Sequence, residues 1–318
     1  MKIVVTLPVD ETQRAQLEAA APEAAFVFES DKAAAGEALP GAEVLIGNLP
    51  PAVIQEKGAA LRWVQLNSAG TDGYCVPGVL PADCVLTNAT GGYSLAIPEC
   101  MIGYLFALFK KLPVYWEQQK RHVWQSAGTV RTVAGSTVVC LGMGDIGGAF
   151  AQRCKALGCT VIGVKRRPAE KPDFVDELYT NDRLDEVLPR ADVLAMSLPN
   201  TPETRHILNA RTIGLLKDGA IVINVGRGSA IDQDALCAAL HSGKLAGAAI
   251  DVTDPEPLPE DHPLWDAPNL ILTPHVTGGW SIPETLERIV DICAENLTAY
   301  QSGLPLRNII DFETGYKK

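Results

Sequence analysis

The stretch TVVCLGMGDIGG at residues 137–148 decides the fold that we predict for this chain. Its first five residues are β-branched or apolar, a pattern typical of a buried strand. Gly142, Gly144 and Gly147 then follow in the spacing G-x-G-x-x-G, and an amphipathic helical pattern continues to about Leu157. A strand, a glycine turn and a helix in this order form the dinucleotide-binding fingerprint.

Each glycine of this motif has a physical role in binding a pyrophosphate. Gly142 permits a tight turn, Gly144 lets the anion approach the backbone because it has no Cβ, and Gly147 lets the helix pack close to the strand. The anion then lies on free N–H groups at the start of the helix. A structural glycine turn in another α/β fold is the alternative, but a second predicted strand at 160–164 favours the dinucleotide site. The predicted contacts are Gly142, Met143, Gly144, Asp145, Ile146 and Gly147.

Length and composition narrow the class of protein. The chain has 318 residues, 47% of them hydrophobic, which suggests two domains. A formal net charge of −11 argues against binding to nucleic acid or to an anionic membrane. The longest apolar stretch, Met101 to Phe109, is too short to span a bilayer, and the first residues form a strand pattern rather than a signal peptide. The eight cysteines show no C-x-x-C and no histidines at zinc spacing, so we expect no metal site and a cytoplasmic protein with reduced thiols.

The first hundred residues alternate strand and helix patterns, which predicts a small parallel-sheet α/β domain. The loop at 67–73 follows a predicted strand at 63–66 and consists mostly of small residues and glycines. Such a loop exposes consecutive backbone N–H groups that suit a carboxylate. An ordinary turn is the alternative.

Lys165, Arg166 and Arg167 lie where a dinucleotide-binding domain usually carries an acidic residue, about 20 positions after the glycines. A carboxylate there repels the 2′-phosphate of NADP, whereas three cations would bind it. The sequence therefore predicts NADP(H) as the preferred cofactor, with NAD(H) possible. The alternative is a solvated basic turn without any cofactor preference.

Four polar residues, Arg227, Asp251, Glu256 and His275, lie at or just after the ends of predicted strands. Ligands of open α/β sheets bind beyond the carboxyl ends of the strands, so we expect these residues to converge beside the dinucleotide.

The residue types fit hydride transfer to a 2-oxo acid, which builds negative charge on the carbonyl oxygen. His275 would protonate that oxygen, because imidazole titrates near neutral pH. Glu256 would orient the ring and favour its protonated form, and Arg227 would hold the substrate carboxylate with its planar fork. Each residue alone has a structural explanation, as a structural histidine, a loop charge or a salt-bridge partner. Their joint placement beside the fingerprint favours catalysis.

The motifs around these residues resemble those of the D-isomer-specific 2-hydroxyacid dehydrogenases. The matching stretches are GMGDIG at 142–147, LPNTPETRHIL at 198–208, INVGRGSAID at 223–232, AIDVTDPEPLP at 249–259 and LTPHVTGG at 272–279. The resemblance implies a catalytic trio of Arg227, Glu256 and His275. The implied substrate-binding residues are Ser68, Ala69, Gly70, Arg227 and His275. Further implied cofactor contacts are Leu198, Pro199, Thr204, Val225, Gly226, Arg227, Asp251, His275 and Gly278, with Asp251 facing the nicotinamide carboxamide.

The resemblance also implies a domain organisation. We expect an α/β fold with two Rossmann-like parallel-sheet domains. A discontinuous, flavodoxin-like substrate-binding domain would comprise residues 1–100 and 283–318, and a dinucleotide-binding domain would comprise residues 101–282. Members of the family usually dimerise through the cofactor domain, so a homodimer is expected.

One departure from the family pattern refines the expected function. The basic triplet at 165–167 is similar to that of NADPH-dependent glyoxylate and hydroxypyruvate reductases. These features together predict a reductase of small 2-oxo acids, with glyoxylate or hydroxypyruvate as first substrates. Two alternatives remain: a dehydrogenase of a larger or phosphorylated D-2-hydroxy acid, and a non-catalytic dinucleotide-sensing protein similar to the corepressors related to this family.

Overall fold

The structure is a computed structural model that describes residues 1–280 and 282–317, with Lys317 described by its backbone alone. The chain forms two compact units. The first comprises Met1–Tyr93 and the chain from Ile282 onward, and the second begins at Ser94. The expected boundary after residue 100 falls inside a continuous helix, Ala96–Phe109, so the structure places the division just before that helix.

The first unit begins with alternating strands and helices, as the sequence pattern predicts. They are β1 (Lys2–Val5), α1 (Glu11–Ala20), β2 (Ala25–Phe28), α2 (Lys32–Ala38), β3 (Val44–Ile46), α3 (Pro51–Lys57), β4 (Trp63–Gln65) and β5 (Val85–Thr87). The strands form one parallel sheet in the order β2-β1-β3-β4-β5. This is the strand order of flavodoxin-like folds, so the predicted fold class of this unit is confirmed.

The second unit contains a seven-stranded parallel sheet flanked by helices. Its elements are α4 (Ala96–Phe109), α5 (Leu112–Lys120), β6 (Thr137–Leu141), α6 (Asp145–Ala156), β7 (Thr160–Lys165), β8 (Glu177–Thr180), α7 (Leu184–Val187), β9 (Val193–Met196), α8 (Ala210–Leu215), β10 (Ala220–Asn224), α9 (Gln233–His241), β11 (Leu245–Ile250) and β12 (Leu270–Leu272). The strand order β8-β7-β6-β9-β10-β11-β12 is that of the Rossmann fold with one added strand. The inner strands β6, β9 and β10 are apolar because helices cover both faces of the sheet.

Strand β8 is not among the strands that the sequence predicts. Its four residues, ELYT, are all half-buried, and it pairs with β7 at the end of the sheet. A short edge strand with polar residues lacks the apolar run that marks the central strands, which explains why the pattern does not reveal it.

The chain returns to the first unit through α10 (Pro283–Gln301), β13 (Ile310–Asp311) and β14 (Tyr316–Lys317). One face of α10 buries Ile289, Val290, Cys293 and Leu297 in a core that also contains Ile3 of β1. Burial of such apolar side chains contributes roughly 1.5–3 kcal/mol for each. The C-terminal part of the chain is therefore an integral layer of the first unit.

A buried polar network connects α10 to the sheet of the first unit. The amide of the fully buried Asn296 donates to Gln65 Oε1 at 2.8 Å and to the Arg307 carbonyl at 3.1 Å, and its oxygen accepts from the Arg307 N–H at 2.7 Å. Thr87 donates to the same Gln65 oxygen at 2.8 Å and accepts from Trp63 Nε1. Each buried polar group in this network is therefore paired.

Three general properties follow from the coordinates. No helix in the described residues is both long and apolar enough to cross a membrane. Residues 1–280 and 282–317 contain no group of three or more His, Cys, Asp or Glu side chains arranged to hold a metal ion. All eight cysteines are free thiols.

We expect Asn296→Leu to lower the free energy of unfolding by about 2–4 kcal/mol, because it leaves the N–H and C=O of Arg307 without partners. Urea denaturation followed by circular dichroism measures the change. Thr298→Leu, at an exposed position on the same helix, is the control and should change stability by less than about 0.5 kcal/mol. An equal effect of the two substitutions would contradict the structural role of Asn296.

Candidate active site

The glycine turn after β6 has the geometry of a phosphate cradle. Gly142 has a φ of +97°, and a Cβ at Gly147 would lie 1.9 Å from the Gly142 carbonyl oxygen. A Cβ at Gly144 would meet no heavy atom within 4 Å, so the space beside it is open. Gly144 caps α6 without a side-chain hydrogen bond, and backbone N–H groups at the start of a helix are the ones that bind an anion. These residues fit a dinucleotide pyrophosphate.

Met143 and Ser197 hold the glycine turn against the neighbouring strands. Met143 is buried against Gly163 of β7, with its Cγ 2.9 Å from a Cβ built there. Ser197, the residue after β9, donates from Oγ to the Gly142 carbonyl at 3.0 Å. The two neighbouring strand ends are therefore tied together at the turn. Helix α6 begins at Asp145, directly before Ile146, and the cofactor contacts expected of these two residues stay predictions.

The loop after β9 carries Leu198, Pro199 and Thr204. The Thr204 hydroxyl is buried and donates to the Pro199 carbonyl at 2.7 Å, while it accepts from the Thr201 N–H at 2.9 Å. The structure therefore assigns Thr204 to the shape of this loop. Its expected contact with a cofactor stays a prediction.

The loop after β10 is held by Asn224, a residue to which the sequence reasoning assigned no role. Asn224 is fully buried; its amide donates to the Arg227 carbonyl at 3.0 Å and its oxygen accepts from the Gly226 N–H at 3.1 Å. A Cβ at Gly226 would lie 2.5 Å from backbone atoms of Leu198. Val225, Gly226 and Arg227 thus lie directly against the loop after β9.

Arg227 is half-buried, and its Nη1 donates to the Gly226 carbonyl at 2.9 Å. The next residue, Gly228, packs against the loop after β11, because a Cβ there would lie 2.0 Å from the Thr253 carbonyl carbon. The loop that carries Arg227 is therefore fixed on both sides by neighbouring backbone.

Glu256 and His275 are joined by a hydrogen bond, with Nδ1 of His275 2.9 Å from Oε2 of Glu256. The other oxygen of Glu256 accepts from the Thr253 N–H at 3.0 Å. The His275 side chain is 53% exposed, so its ring is open to a ligand. Because Nδ1 faces the carboxylate, Nε2 is the ring nitrogen left to meet a substrate.

Asp251 holds the loop that carries His275. Its carboxylate is 2% exposed; Oδ1 accepts from Thr273 Oγ1 at 2.6 Å and from the Val276 N–H at 3.0 Å, and Oδ2 accepts from the hydroxyl and the N–H of Thr277 at 2.6 and 3.2 Å. The backbone carbonyl of Asp251 accepts the N–H of His275 at 2.8 Å. Asp251 therefore has a structural role beyond the one expected, and its contact with the nicotinamide stays a prediction.

The network extends from Asp251 to α4. Tyr104 lies with its hydroxyl 2.6 Å from Thr273 Oγ1, and because Thr273 donates its proton to Asp251, Tyr104 is the donor to Thr273. Burial, followed by a hydrogen bond with Cys100, raises the pKa of Tyr104 well above its usual range, so the phenol stays protonated.

These contacts join the predicted residues along one edge of the sheet. The glycine turn touches Ser197, the β9 loop touches Gly226, Gly228 touches Thr253, and Glu256 reaches His275. The carboxyl ends of β10, β11 and β12 are adjacent in register, with Asn224 beside Ile250 and Ile250 beside Leu272. Gly278 lies three residues after His275 in the same loop.

The basic residues lie at the end of β7, which is next to β6 in the sheet. Lys165 is half-buried, and Arg166 and Arg167 are exposed. Glu203, to which the sequence reasoning assigned no role, lies near this turn. Its pKa is lowered by hydrogen bonds to its own backbone and to Thr201, and further by the charge of Arg166. The turn therefore carries three basic residues, of which Arg166 lies near the Glu203 carboxylate.

In the first unit, the loop after β4 has the expected open N–H groups. Within the described residues, the backbone N–H groups of Ser68, Ala69 and Gly70 donate no hydrogen bond to another residue. The loop is held from outside: Asn88 Nδ2 donates to the Ala69 carbonyl at 2.6 Å, and Asn48 Nδ2 donates to Ser68 Oγ at 3.0 Å. An ordered loop with three consecutive donors suits a carboxylate.

Comparison with known proteins agrees with this geometry. Residues 102–277 match the sequence model of the family described as D-isomer specific 2-hydroxyacid dehydrogenase, NAD binding domain. A solved structure of a D-isomer specific 2-hydroxyacid dehydrogenase family protein from Aeromonas salmonicida is 35% identical, has a TM-score of 0.85, and covers 98% of this chain and 99% of that one.

Two further relatives are named by activity. Glyoxylate/hydroxypyruvate reductase A of Serratia proteamaculans is 30% identical over 287 residues, which are 88% of this chain and 90% of the relative. The NADPH-dependent glyoxylate/hydroxypyruvate reductase of Sinorhizobium meliloti, solved with NADP and sulfate, is 28% identical with a TM-score of 0.85 and coverage of 99% of each chain.

The family model spans more than half of the chain, and the strand order, the glycine turn and the histidine–glutamate pair are all present. The chain therefore belongs to the D-isomer-specific 2-hydroxyacid dehydrogenases, a family of NAD(P)-dependent oxidoreductases.

Proposed function

We propose that this protein is an NADPH-preferring reductase of small 2-oxo acids, with glyoxylate and hydroxypyruvate as its first candidate substrates. The observation that carries the proposal is the Glu256–His275 pair, held on the same sheet edge as Arg227 and the glycine turn. The names of the Serratia and Sinorhizobium relatives support the substrate class.

The chain's own groups provide the acid and the anchor for this reaction. The glycine turn at 142–147 would hold NADPH, which would supply a hydride for the carbonyl carbon of the 2-oxo acid. His275 Nε2 donates a proton to the carbonyl oxygen, and Glu256 holds the ring through Nδ1 and stabilises the imidazolium before transfer. Arg227 binds the substrate carboxylate and polarises the carbonyl. The N–H groups of the 68–70 loop are the proposed carboxylate-binding element of the first unit. The product is the 2-hydroxy acid.

The preference for NADPH rests on the basic turn at 165–167. The guanidinium groups of Arg166 and Arg167 form charge-assisted hydrogen bonds with phosphate oxygens more strongly than with ribose hydroxyls. Glu203 opposes this effect because its carboxylate lies near Arg166. Because the turn has three basic residues and Glu203 is a single carboxylate, we expect the turn to bind the 2′-phosphate of NADPH more strongly than the ribose hydroxyl of NADH.

We also propose that the protein works in the cytoplasm. Its eight cysteines are all free thiols, the state that a reducing compartment maintains.

We propose further that two copies associate through the second unit. The segment 112–130 exposes Leu112, Trp116, Val123, Trp124 and Val130. Helix α5 in this segment has no buried residue. A cavity of about 370 Å³ lies beside it, lined in part by Leu108, Phe109, Pro113 and Val114. Large apolar residues clustered on one segment are typical of an interface, and a second copy of the chain would cover them.

His275→Ala should lower kcat for reduction of glyoxylate or hydroxypyruvate by about two to four orders of magnitude, because it removes the proton donor. Stopped-flow absorbance at the NADPH band measures the rate. His241→Ala, which removes an exposed histidine at the end of α9, is the matched control and should leave kcat unchanged. Normal turnover in the His275 variant would refute the mechanism.

Glu256→Gln should lower kcat by about tenfold or more, because the amide keeps an acceptor for Nδ1 but removes the negative charge beside the ring. Steady-state kinetics at saturating NADPH measure kcat and the KM for the 2-oxo acid. An unchanged kcat would contradict a role for the carboxylate charge.

Arg166→Asp should raise the KM for NADPH by about tenfold or more and lower the ratio of NADPH to NADH efficiency, because it replaces a phosphate-binding cation with an anion. Lys32→Asp, an exposed charge reversal in the first unit, is the control. Cofactor kinetics at saturating 2-oxo acid provide the measurement. An unchanged NADPH preference would remove the assigned role of the basic turn.

A panel of substrates distinguishes the alternatives. Turnover mainly with large or phosphorylated 2-oxo acids would replace the proposed substrate class. Tight NADPH binding without turnover of any 2-oxo acid would favour a dinucleotide-sensing protein.

Trp124→Asp should convert a dimer to a monomer in size-exclusion chromatography with light scattering, because it places a charge on the exposed apolar segment. Trp265→Asp changes another exposed tryptophan outside the segment and should leave the mass unchanged. A monomeric wild-type protein, or a dimer unaffected by Trp124→Asp, would refute this interface.

A further inference from the structure

The chain after α10 extends along the edge strand of the first sheet. Ile309 pairs antiparallel with Thr87 of β5, and Ile310 is buried in the core beside Leu66 and Leu86. The Asn88 N–H donates to the Asn308 carbonyl at 3.3 Å. The C-terminal segment therefore runs directly beside the loop that follows β5.

Asn308 shapes that loop. Its backbone is left-handed, with φ at +61°, and its side chain is buried. The amide nitrogen donates to the carbonyls of Asn88 and Thr90, at 3.2 and 2.7 Å. Asn88 in turn donates to the carbonyl of Ala69 at 2.6 Å. A chain of hydrogen bonds thus connects the C-terminal segment to the loop with three open N–H groups.

A second contact reaches the same loop from the hairpin of β13 and β14. Asp311 organises the hairpin, with Oδ1 accepting from the Glu313 N–H at 3.0 Å and Oδ2 from the Thr314 hydroxyl at 3.1 Å. The Gly315 N–H closes the turn on the Asp311 carbonyl at 2.8 Å. The Gly315 carbonyl then accepts from Thr71 Oγ1 at 2.9 Å, immediately after Gly70.

We propose that residues 308–316 are a positioning element for the substrate carboxylate. The loop at 68–70 ends in Gly70, and glycine loses more conformational freedom than any other residue when it is ordered. Asn308, through Asn88, and Gly315, through Thr71, hold the loop in its open-donor shape before binding. Such preorganisation increases affinity without changing the chemical step. The inference rests on the carboxylate-binding role of this loop in the proposed function.

The test uses Thr71→Val and Thr71→Ser in the full chain. Valine keeps the shape but removes the hydroxyl that reaches Gly315, so the KM for glyoxylate or hydroxypyruvate should rise about three- to tenfold. The KM for NADPH and kcat at saturating substrate should stay within about twofold, and serine should restore the wild-type KM. Thr298→Val, whose hydroxyl bonds only within α10 to Ala294, is the matched control.

Asp311→Ala provides a second arm, because it removes the acceptor of the Glu313 N–H and the Thr314 hydroxyl and so loosens the hairpin. It should raise the same KM, and the double variant with Thr71→Val should show less than the product of the two single effects, as expected for residues that act through one contact. The inference would be overturned if the KM of the double variant rose by the full product of the two single effects. It would also be overturned if the KM for Thr71→Val stayed within twofold of the wild type while the enzyme turned over normally. Either result would leave the proposed function intact.

Binding of oxalate, a planar mimic of a 2-oxo acid, separates this inference from the reaction. Thermal unfolding with and without oxalate measures how much the ligand stabilises the protein. If the wild type turns over no 2-oxo acid, the proposed function fails. The inference then survives only if oxalate stabilises the wild type and Thr71→Ser more than Thr71→Val, and it falls if oxalate stabilises none of them.

Discussion

Close approach of backbones at the carboxyl edge of the seven-stranded sheet is the constraint on which the candidate site depends. At Gly147, Gly226 and Gly228 a Cβ would lie 1.9 to 2.5 Å from the backbone of a neighbouring segment. Real side chains are excluded at such distances, so each glycine lets two loops meet. The positions of Arg227 and Glu256 follow from these contacts, because their loops have backbone neighbours that leave little freedom to shift.

The buried carboxylate of Asp251 fixes the position of His275, the third member of the trio. Removing a carboxylate from water costs several kcal/mol unless hydrogen bonds compensate, and Asp251 accepts four of them from Thr273, Val276 and Thr277. His275 has a left-handed backbone at φ +53°, a conformation that costs about 1–3 kcal/mol for a residue with a side chain. Asp251 holds it through the backbone and Glu256 holds it through the ring. Two carboxyl residues therefore orient one imidazole.

The two units carry different candidate groups. The second unit carries side chains that can bear a charge, namely His275, Glu256 and Arg227. The first unit offers uncharged N–H donors from the loop at 68–70, which Asn48 and Asn88 hold in place. A proton donor must be a titratable group, whereas backbone N–H groups can bind an anion without titrating.

The sequence by itself determined the elements and the identities of the candidate trio. Local patterns suffice there: an apolar run followed by G-x-G-x-x-G specifies a strand, a turn and a helix, and residues placed just after parallel strands must lie at one edge of the sheet. Strand β8 was not predicted, because its half-buried residues ELYT do not form an apolar run.

Only the tertiary structure decided the roles of Asn224, Asn308 and the hairpin at 310–317, and the structural role of Asp251. Asn308 bonds to residues 218 and 220 positions away, and Thr71 to a residue 244 positions away. Partners so distant in the chain are selected by the order of strands and the path of the C-terminal segment. Hydrogen bonds between them depend on that arrangement in space, which no local pattern of residues encodes.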